Sequence, residues 1–295
     1  MASNKIRATR ADRIFDICNY LFLGIVGVVV LYPLYFVLIA SISEPDAVNS
    51  GQVIWYPVGF SLEGYQKLFE DSRIWIGYRN TILYTLFGTT LNVVLTLITA
   101  YPLSRKDLTG RKYLFFYFLF TMFFNGGLIP TYLQVSNLGL YNTPFVLILL
   151  GALSIYNMII AKSFFENTIS DDLREAAEMD GCGSFRFFIS IVLPLSKALI
   201  GVLVVYYAIG HWNQYFNALI YISKESLQPL QMVLREILIQ NSTVQMVMDE
   251  SMLEEMLRRE RYANLIKYGI IVVASVPMLC VYPFVQKYFA KGVML

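Results

Sequence analysis

The chain has 295 residues, of which 57% are hydrophobic and 15% are charged, with a net charge of +2 and a mean hydropathy of +0.55. A soluble domain carries about 25% charged residues, so this composition excludes a water-soluble globule of this length. Cys18, Cys182 and Cys280 have neither CxxC nor metal-ligand spacing, which argues against a disulfide scaffold or a cysteine metal site.

The apolar runs predict an all-α membrane protein with six transmembrane helices. A bilayer core about 30 Å thick requires roughly 20 apolar residues in a helix. Runs without charged residues place the spans at residues 17–43, 80–104, 113–133, 144–161, 198–223 and 268–286. Turn-forming residues interrupt the long run that holds the third and fourth spans, namely Asn125-Gly126-Gly127, Pro130 and Asn142-Thr143-Pro144.

Basic residues in the short loops predict the orientation of these spans, because lysine and arginine concentrate on the cytoplasmic side. They cluster in the tail 1–16 and in the loop 105–112. Both termini are therefore expected in the cytoplasm, together with the loop 162–197 and the end 290–295. The loops 44–79, 134–143 and 224–267 are expected outside.

The first span could instead be a cleaved signal peptide, because a basic start precedes an apolar stretch. Its uncharged run, residues 17–43, is far longer than the usual apolar region of about 7–15 residues. The sequence therefore favours a retained transmembrane helix.

The cytoplasmic loop 162–197 predicts two short helices joined by a turn. Ser170 suits a helix N-cap, and Asp171 and Asp172 complement the positive end of the helix dipole. Gly181 suits the left-handed position that ends a helix. A second helical stretch at residues 184–193 should stop before Pro194. We call this pair of helices the elbow.

The elbow resembles the EAA loop of binding-protein-dependent ABC importer permeases. Glu-Ala-Ala alone is ordinary helix composition, but the spacing from Glu to Gly and from Gly to Pro also matches. The matching residues are Glu175, Ala176, Ala177, Gly181, Ile191, Leu193 and Pro194, and Asp180 adds a charge to the same expected contact. The ending Lys267-Tyr268-Gly269, Pro277 and residues 282–289 resembles the carbohydrate-uptake class, and within it the permeases for complex oligosaccharides or polysaccharide fragments.

This resemblance implies a multi-pass permease subunit in the cytoplasmic (inner) membrane of a bacterium. Its elbow would lie in a groove of one of two ATP-binding subunits, which bind ATP and magnesium. The other implied partners are a second, different permease subunit, an extracytoplasmic solute-binding protein and membrane lipid, with no nucleic acid. The chain has no GxxxxGK[ST] motif, so we expect it to bind no cofactor and to catalyse no hydrolysis itself.

Polar residues in the fifth span are candidates for a solute path, because aromatic faces and amides suit sugar rings and hydroxyl groups. They are Trp212, Asn213, Gln214, Tyr215 and Asn217, with Asn125 as a weaker candidate near the outer hairpin. His211 has no acidic partner in its span, so a hydrogen-bonded packing role is favoured over a proton relay.

The outer loop 224–267 predicts an amphipathic helix. Met248, Met252 and Met256 recur at helical spacing. Such a helix either packs on the protein's own outer face or contacts a solute-binding protein, and the sequence favours packing.

Two other classes of protein remain as alternatives. A secondary transporter would need intramembrane acids or an ion site, and the uncharged runs supply no acid. A membrane-embedded enzyme would need a catalytic constellation, which one histidine does not make. A permease of the same architecture for another solute also stays open.

Overall fold

The computed structural model describes residues 9–242 and 266–280, which contain helices, turns and no strand. The chain divides into two compact units. The first comprises residues 1–70 and 238–273, and the second comprises residues 71–237 and 274–295. The predicted stripe of Met248, Met252 and Met256, the predicted end 290–295 and the last part of the span 268–286 lie outside the described residues.

The first unit contains a long apolar helix and two short helices, α1 (Arg10–Ser41), α2 (Pro45–Asn49) and α3 (Glu63–Glu70). A capping box between Thr9 and Asp12 begins α1, so the helix starts within the predicted tail. The hydroxyl of Tyr65 donates a hydrogen bond to Ser41 Oγ at 2.8 Å, which holds α3 against the end of α1.

The second unit is built around the long helix α4 (Ser72–Ser104). The helices that follow are α5 (Arg111–Phe123), α6 (Leu128–Asn137), α7 (Pro144–Leu149), α8 (Ile155–Thr168), α9 (Asp171–Met179), α10 (Ser184–Leu195), α11 (Lys197–Trp212), α12 (Phe216–Tyr221) and α13 (Leu230–Ser242). A further apolar helix, α14 (Ile266–Cys280), has residues in both units.

The helices α1 and α4 are long and apolar enough to cross a membrane. Two bent pairs also qualify if each counts as one span: α5 with α6, which bend by 112°, and α10 with α11, which bend by 79°. The described residues therefore contain two to four such spans by length and composition. They do not test the predicted total of six.

Three of the predicted spans are not continuous helices. Residues 113–133 break between Phe123 and Leu128, where Gly127 has a φ of 88°. Residues 144–161 break between α7 and α8, where Gly151 has a φ of 77° that an L side chain rarely adopts. Residues 198–223 break after Trp212. Apolar composition predicts these runs but does not specify where the backbone leaves helical geometry.

The core of the second unit lies where α4 packs along α11 and α8. Buried residues from these helices form one apolar cluster, which includes Leu97, Ala100, Met158, Ala161 and Leu203. Small alanines on α4 and α8 let the helix axes approach closely, which is the packing that membrane helices favour.

At the other end of α4, polar side chains bind the chain that enters α13. The Asn80 amide donates hydrogen bonds to the carbonyls of Ser226 and Gln228 at 2.9 and 3.0 Å. Asn80 and Gln228 are buried, whereas Ser226 is exposed, so the Gln228 carbonyl depends more on this amide than the Ser226 carbonyl does.

We expect Asn80→Ala to lower the free energy of unfolding by about 1–3 kcal/mol, because it removes both hydrogen bonds and leaves the buried Gln228 carbonyl without this partner. The exposed Asn167→Ala is the matched control and should change stability by less than about 0.5 kcal/mol. Thermal unfolding in detergent compares the two variants. Equal melting temperatures would show that Asn80 does not hold this segment.

Candidate functional site

A cavity of about 420 Å³ opens where the helices of the second unit break. Its wall comes from α4, the break between α7 and α8, the end of α11 and the start of α12. Apart from His211, the lining residues that the structure describes are all uncharged side-chain types. They are Asn92, Leu150, Gly151, Ser154, Asn157, Tyr206, Tyr207, Gly210, His211, Asn213, Gln214, Tyr215, Phe216 and Asn217.

His211 is held by amides on both ring nitrogens. Nδ1 donates to Oε1 of Gln214 at 3.1 Å, and Nε2 lies 3.1 Å from the Asn92 amide. Gln214 Nε2 in turn donates to the carbonyl of Leu147 at 3.1 Å. The ring is buried, and these contacts confirm the predicted hydrogen-bonded histidine.

Gly88 on α4 makes room for this histidine. A Cβ atom at Gly88 would lie 2.4 Å from the His211 ring, closer than any normal contact. The absence of a side chain therefore permits α4 and α11 to meet at the ring, one turn before Asn92.

Tyr207 ties the break between α7 and α8 to the bundle. Its hydroxyl lies 2.6 Å from Oγ1 of Thr96 and accepts a hydrogen bond from the backbone N–H of Ser154 at 3.3 Å. Ser154 caps α8, since its own side chain accepts from the N–H of Asn157. These hydrogen bonds join α4, α11 and the start of α8, and they fix this part of the cavity wall.

Four of the six predicted path residues, Asn213, Gln214, Tyr215 and Asn217, line this cavity. Trp212 lies elsewhere: it is buried, and its Nε1–H donates to the carbonyl of Ala274 at 3.0 Å. Trp212 is the last residue of α11, so helical geometry still sets the direction of its side chain, whereas the residues that line the cavity follow the end of the helix.

Asn125 also lies outside the cavity. Its side chain accepts a hydrogen bond from the N–H of Gly127 at 2.9 Å and so stabilises the break before α6.

The sequence did not predict four residues of the cavity wall, Asn92, Asn157, Tyr206 and Tyr207. A polar residue inside an apolar run, such as Asn92 in the span 80–104, was the signal that could have indicated a wall residue.

The elbow forms as predicted at its first helix. The side chain of Ser170 accepts from the N–H of Leu173, and Gly181 has a φ of 74°. After the helix, Cys182 N–H bonds to the carbonyl of Ala177 at 2.9 Å and Gly181 N–H to that of Glu178 at 3.0 Å. This pair of bonds is a Schellman motif, which requires the left-handed residue.

The motif residues of the first elbow helix have different surroundings. Ala177 is buried in the core cluster, whereas Glu175, Ala176 and Asp180 are exposed. Met179 is 89% exposed, which leaves a large apolar side chain free at the end of α9. The two alanines are therefore not equivalent: one packs inward and the other faces outward.

The second elbow helix extends further than expected. It contains a π-helical turn, Phe188–Val192, and continues through Pro194 to Leu195. The predicted stop before Pro194 was wrong, because Pro194 occupies the first turn of the α-helical segment after the π turn, where its missing N–H is tolerated. Leu193 packs partly buried against the core.

Arginines hold the elbow beside the turn between α4 and α5. Arg174 contacts Glu178 at 2.9 Å and Asp107 at 3.7 Å. The Arg105 side chain also donates to Asp107, and this hydrogen bond lowers the pKa of that carboxyl group to about 2. Asp107 therefore stays ionised at any physiological pH.

We expect Gly181→Ala to destabilise the elbow by about 1–2 kcal/mol, because an L side chain disfavours the left-handed conformation. Gly183→Ala is the matched control, since Gly183 has a φ of −68° and open space around a Cβ atom. Hydrogen exchange at residues 171–182 of the folded protein measures the difference. Equal exchange in both variants would contradict the assignment of the cap.

The comparisons with known proteins agree with this architecture. The family described as "Binding-protein-dependent transport system inner membrane component" matches residues 1–294. Protein LplC of Bacillus subtilis (strain 168) is 38% identical over 97% of this chain and 95% of its own length. The polygalacturonan/rhamnogalacturonan transport system permease protein YtcP of the same organism is 39% identical over 96% of this chain and 98% of its own length.

A solved structure shows the same fold. One chain of a bacterial ABC transporter involved in the import of the acidic polysaccharide alginate matches with a TM-score of 0.85 and 34% identity, over 97% of this chain and 100% of that chain. With a family match along almost its whole length, this chain belongs to the inner membrane components of binding-protein-dependent transport systems.

Proposed function

We propose that this chain is the non-catalytic permease subunit of an ATP-driven importer that carries an oligosaccharide or a polysaccharide fragment into the cytoplasm. A second, different permease subunit completes the path, two ATP-binding subunits bind ATP and Mg²⁺, and an extracytoplasmic solute-binding protein delivers the cargo. Family membership supports the importer, and the cavity lined by amides and tyrosines is the observation that carries the solute path.

The proposed topology has six spans with both termini in the cytoplasm. The elbow and the basic turn 105–112 then lie on the same side of the membrane. The ion pair between Lys106 and Asp171, at 3.5 Å, supports this arrangement because it joins the two loops directly. The break between α5 and α6, with no charged residue at positions 113–143, lies toward the outside.

The chemistry of the cavity suits a carbohydrate. Sugar hydroxyl groups need donors and acceptors together, which amide side chains supply. Tyr215 and Tyr206 add aromatic faces against which the apolar face of a sugar ring packs. The names of the relatives support this cargo class, since YtcP is named as a permease protein of a polygalacturonan/rhamnogalacturonan transport system.

The elbow is the proposed contact with an ATP-binding subunit. Exposed Glu175 and Asp180 provide charge, exposed Ala176 permits close approach, and Met179 provides an apolar contact. Movement of the elbow reaches the cavity through α11, because α10 bends directly into α11 and the cavity begins where α11 ends. Alternating access then follows from rigid-body rotation between two packed states.

We expect Glu175→Lys to uncouple the importer, because it places a positive charge on the proposed docking face. Copurification of the ATP-binding subunits and solute-stimulated ATP hydrolysis in proteoliposomes measure the effect. Asn167→Lys adds a positive charge at an exposed position outside the motif and is the control. If binding and stimulated hydrolysis both stay normal in Glu175→Lys, the docking assignment is wrong.

We expect Asn213→Ala to weaken oligosaccharide uptake without loss of the assembled complex. Asn213 lines the cavity, and within the residues that the structure describes its amide donates only to the carbonyl of Ile209 in α11. Loss of one amide contact to a sugar should raise the half-saturating concentration about two- to tenfold. Asn125→Ala, outside the cavity, is the matched control for uptake into proteoliposomes. Equal uptake by both variants would remove this cavity from the path.

A further inference from the structure

A basic pocket lies at the turn between α4 and α5, outside the cavity and beside the start of the elbow. We propose that this pocket binds the phosphate headgroup of an anionic phospholipid. Its volume is about 510 Å³. It is lined by Lys106, Leu108, Gly110, Arg111, Lys112, Tyr113, Phe115 and Lys162.

The pocket contains more cationic side chains than carboxylates of the protein to pair with them. Arg111 and Lys162 share one carboxylate, that of Glu166. Lys106 faces Asp171 only at 3.5 Å and is largely exposed. Lys112 forms no ion pair within residues 9–242 and 266–280. Four cations therefore face two carboxylates, which leaves charge for an anionic ligand.

Two of the cations are fixed in position. Arg111 Nε donates to the carbonyl of Leu103 at 2.8 Å. The Lys162 side chain is only 13% exposed, contacts Glu166 at 2.8 Å and lies 4.9 Å from the centre of the Phe115 ring. Ordered cations lose little conformational entropy when they bind a phosphate, so these contacts prepare the pocket for a ligand.

The surroundings favour a lipid over free phosphate. Helix α5 starts at the pocket and has no buried residue. Tyr113, Phe116 and Tyr117 are 84%, 69% and 62% exposed, so aromatic rings extend from the pocket along the helix. Basic residues beside an aromatic surface at the end of a membrane helix match a headgroup with its acyl chains. Free phosphate would leave the aromatic surface uncovered.

This site does not depend on the cargo or on ATP coupling. It rests on the membrane location of the family and on the proposed cytoplasmic side of the basic turn. A lipid-binding measurement therefore tests it separately from transport. The site can bind lipid even if the proposed solute path and the proposed ATPase contact are wrong. Those two assignments can likewise be right if the site binds no lipid.

The experiment is native mass spectrometry of the assembled transporter in detergent, titrated with phosphatidylglycerol, with phosphatidylethanolamine or with inorganic phosphate. Lys112→Gln removes the positive charge of Lys112, the pocket cation that forms no ion pair in the described residues. Lys197→Gln is the matched control, because Lys197 is also an exposed lysine in the first turn of an apolar helix. Lys112→Arg keeps the charge.

We expect Lys112→Gln to bind phosphatidylglycerol about fivefold more weakly than the unmodified complex, as for one juxtamembrane charge. Lys197→Gln and Lys112→Arg should retain the affinity, and phosphatidylethanolamine should bind more weakly than phosphatidylglycerol throughout. Equal loss in Lys112→Gln and Lys197→Gln would overturn the site. Displacement of bound phosphatidylglycerol by millimolar inorganic phosphate would overturn the assignment to a lipid.

Discussion

Backbone groups released at helix breaks need hydrogen-bond partners, and this requirement organises the second unit. In an apolar environment an unpaired N–H or C=O group costs several kcal/mol. Here the partners are exchanged between two broken segments, the one around α7 and the one that follows α11. Gln214, just after α11, bonds to the carbonyl of Leu147 in α7, and Asn142, just before α7, accepts from the N–H groups of Ser223 and Lys224 after α12. These hydrogen bonds join the two broken segments to each other.

Helix α4 supplies the remaining polar partners from an otherwise apolar surface. Thr96 contacts the Tyr207 hydroxyl, Asn92 contacts His211, and Asn80 binds the chain before α13. Each of these α4 side chains is buried. Neutral amides and hydroxyl groups are inexpensive to bury when paired, whereas a charge would not be. The same residues therefore explain how an unbroken helix can support broken neighbours and why the cavity wall is neutral.

The sequence predicted what depends on local chemistry. The cap at Ser170, the left-handed Gly181 and the apolar lengths of α1 and α4 follow from residue type and spacing, and the structure has them. It could not predict the break at Gly151, because a glycine within an apolar run also occurs inside intact helices. The cavity residues were predicted only on the chain segment near Asn213. Asn92 reaches the cavity from α4 and Tyr207 from an earlier turn of α11, so only tertiary packing brings them to its wall.

One helix separates the elbow from the cavity. Helix α11 has 16 residues, a length of about 24 Å, and it begins at the 79° bend after α10 and ends at the cavity wall. Its core side is packed against α4 through Leu203 and Tyr207, and we expect such a close-packed helix to transmit a displacement along its length. A displacement of the elbow therefore changes the position of His211 and Gln214 together. Because Gln214 also holds the carbonyl of Leu147, the break between α7 and α8 must follow or lose that bond. In the proposed importer, we therefore expect the end of α11 and the break between α7 and α8 to move together when the path opens and closes.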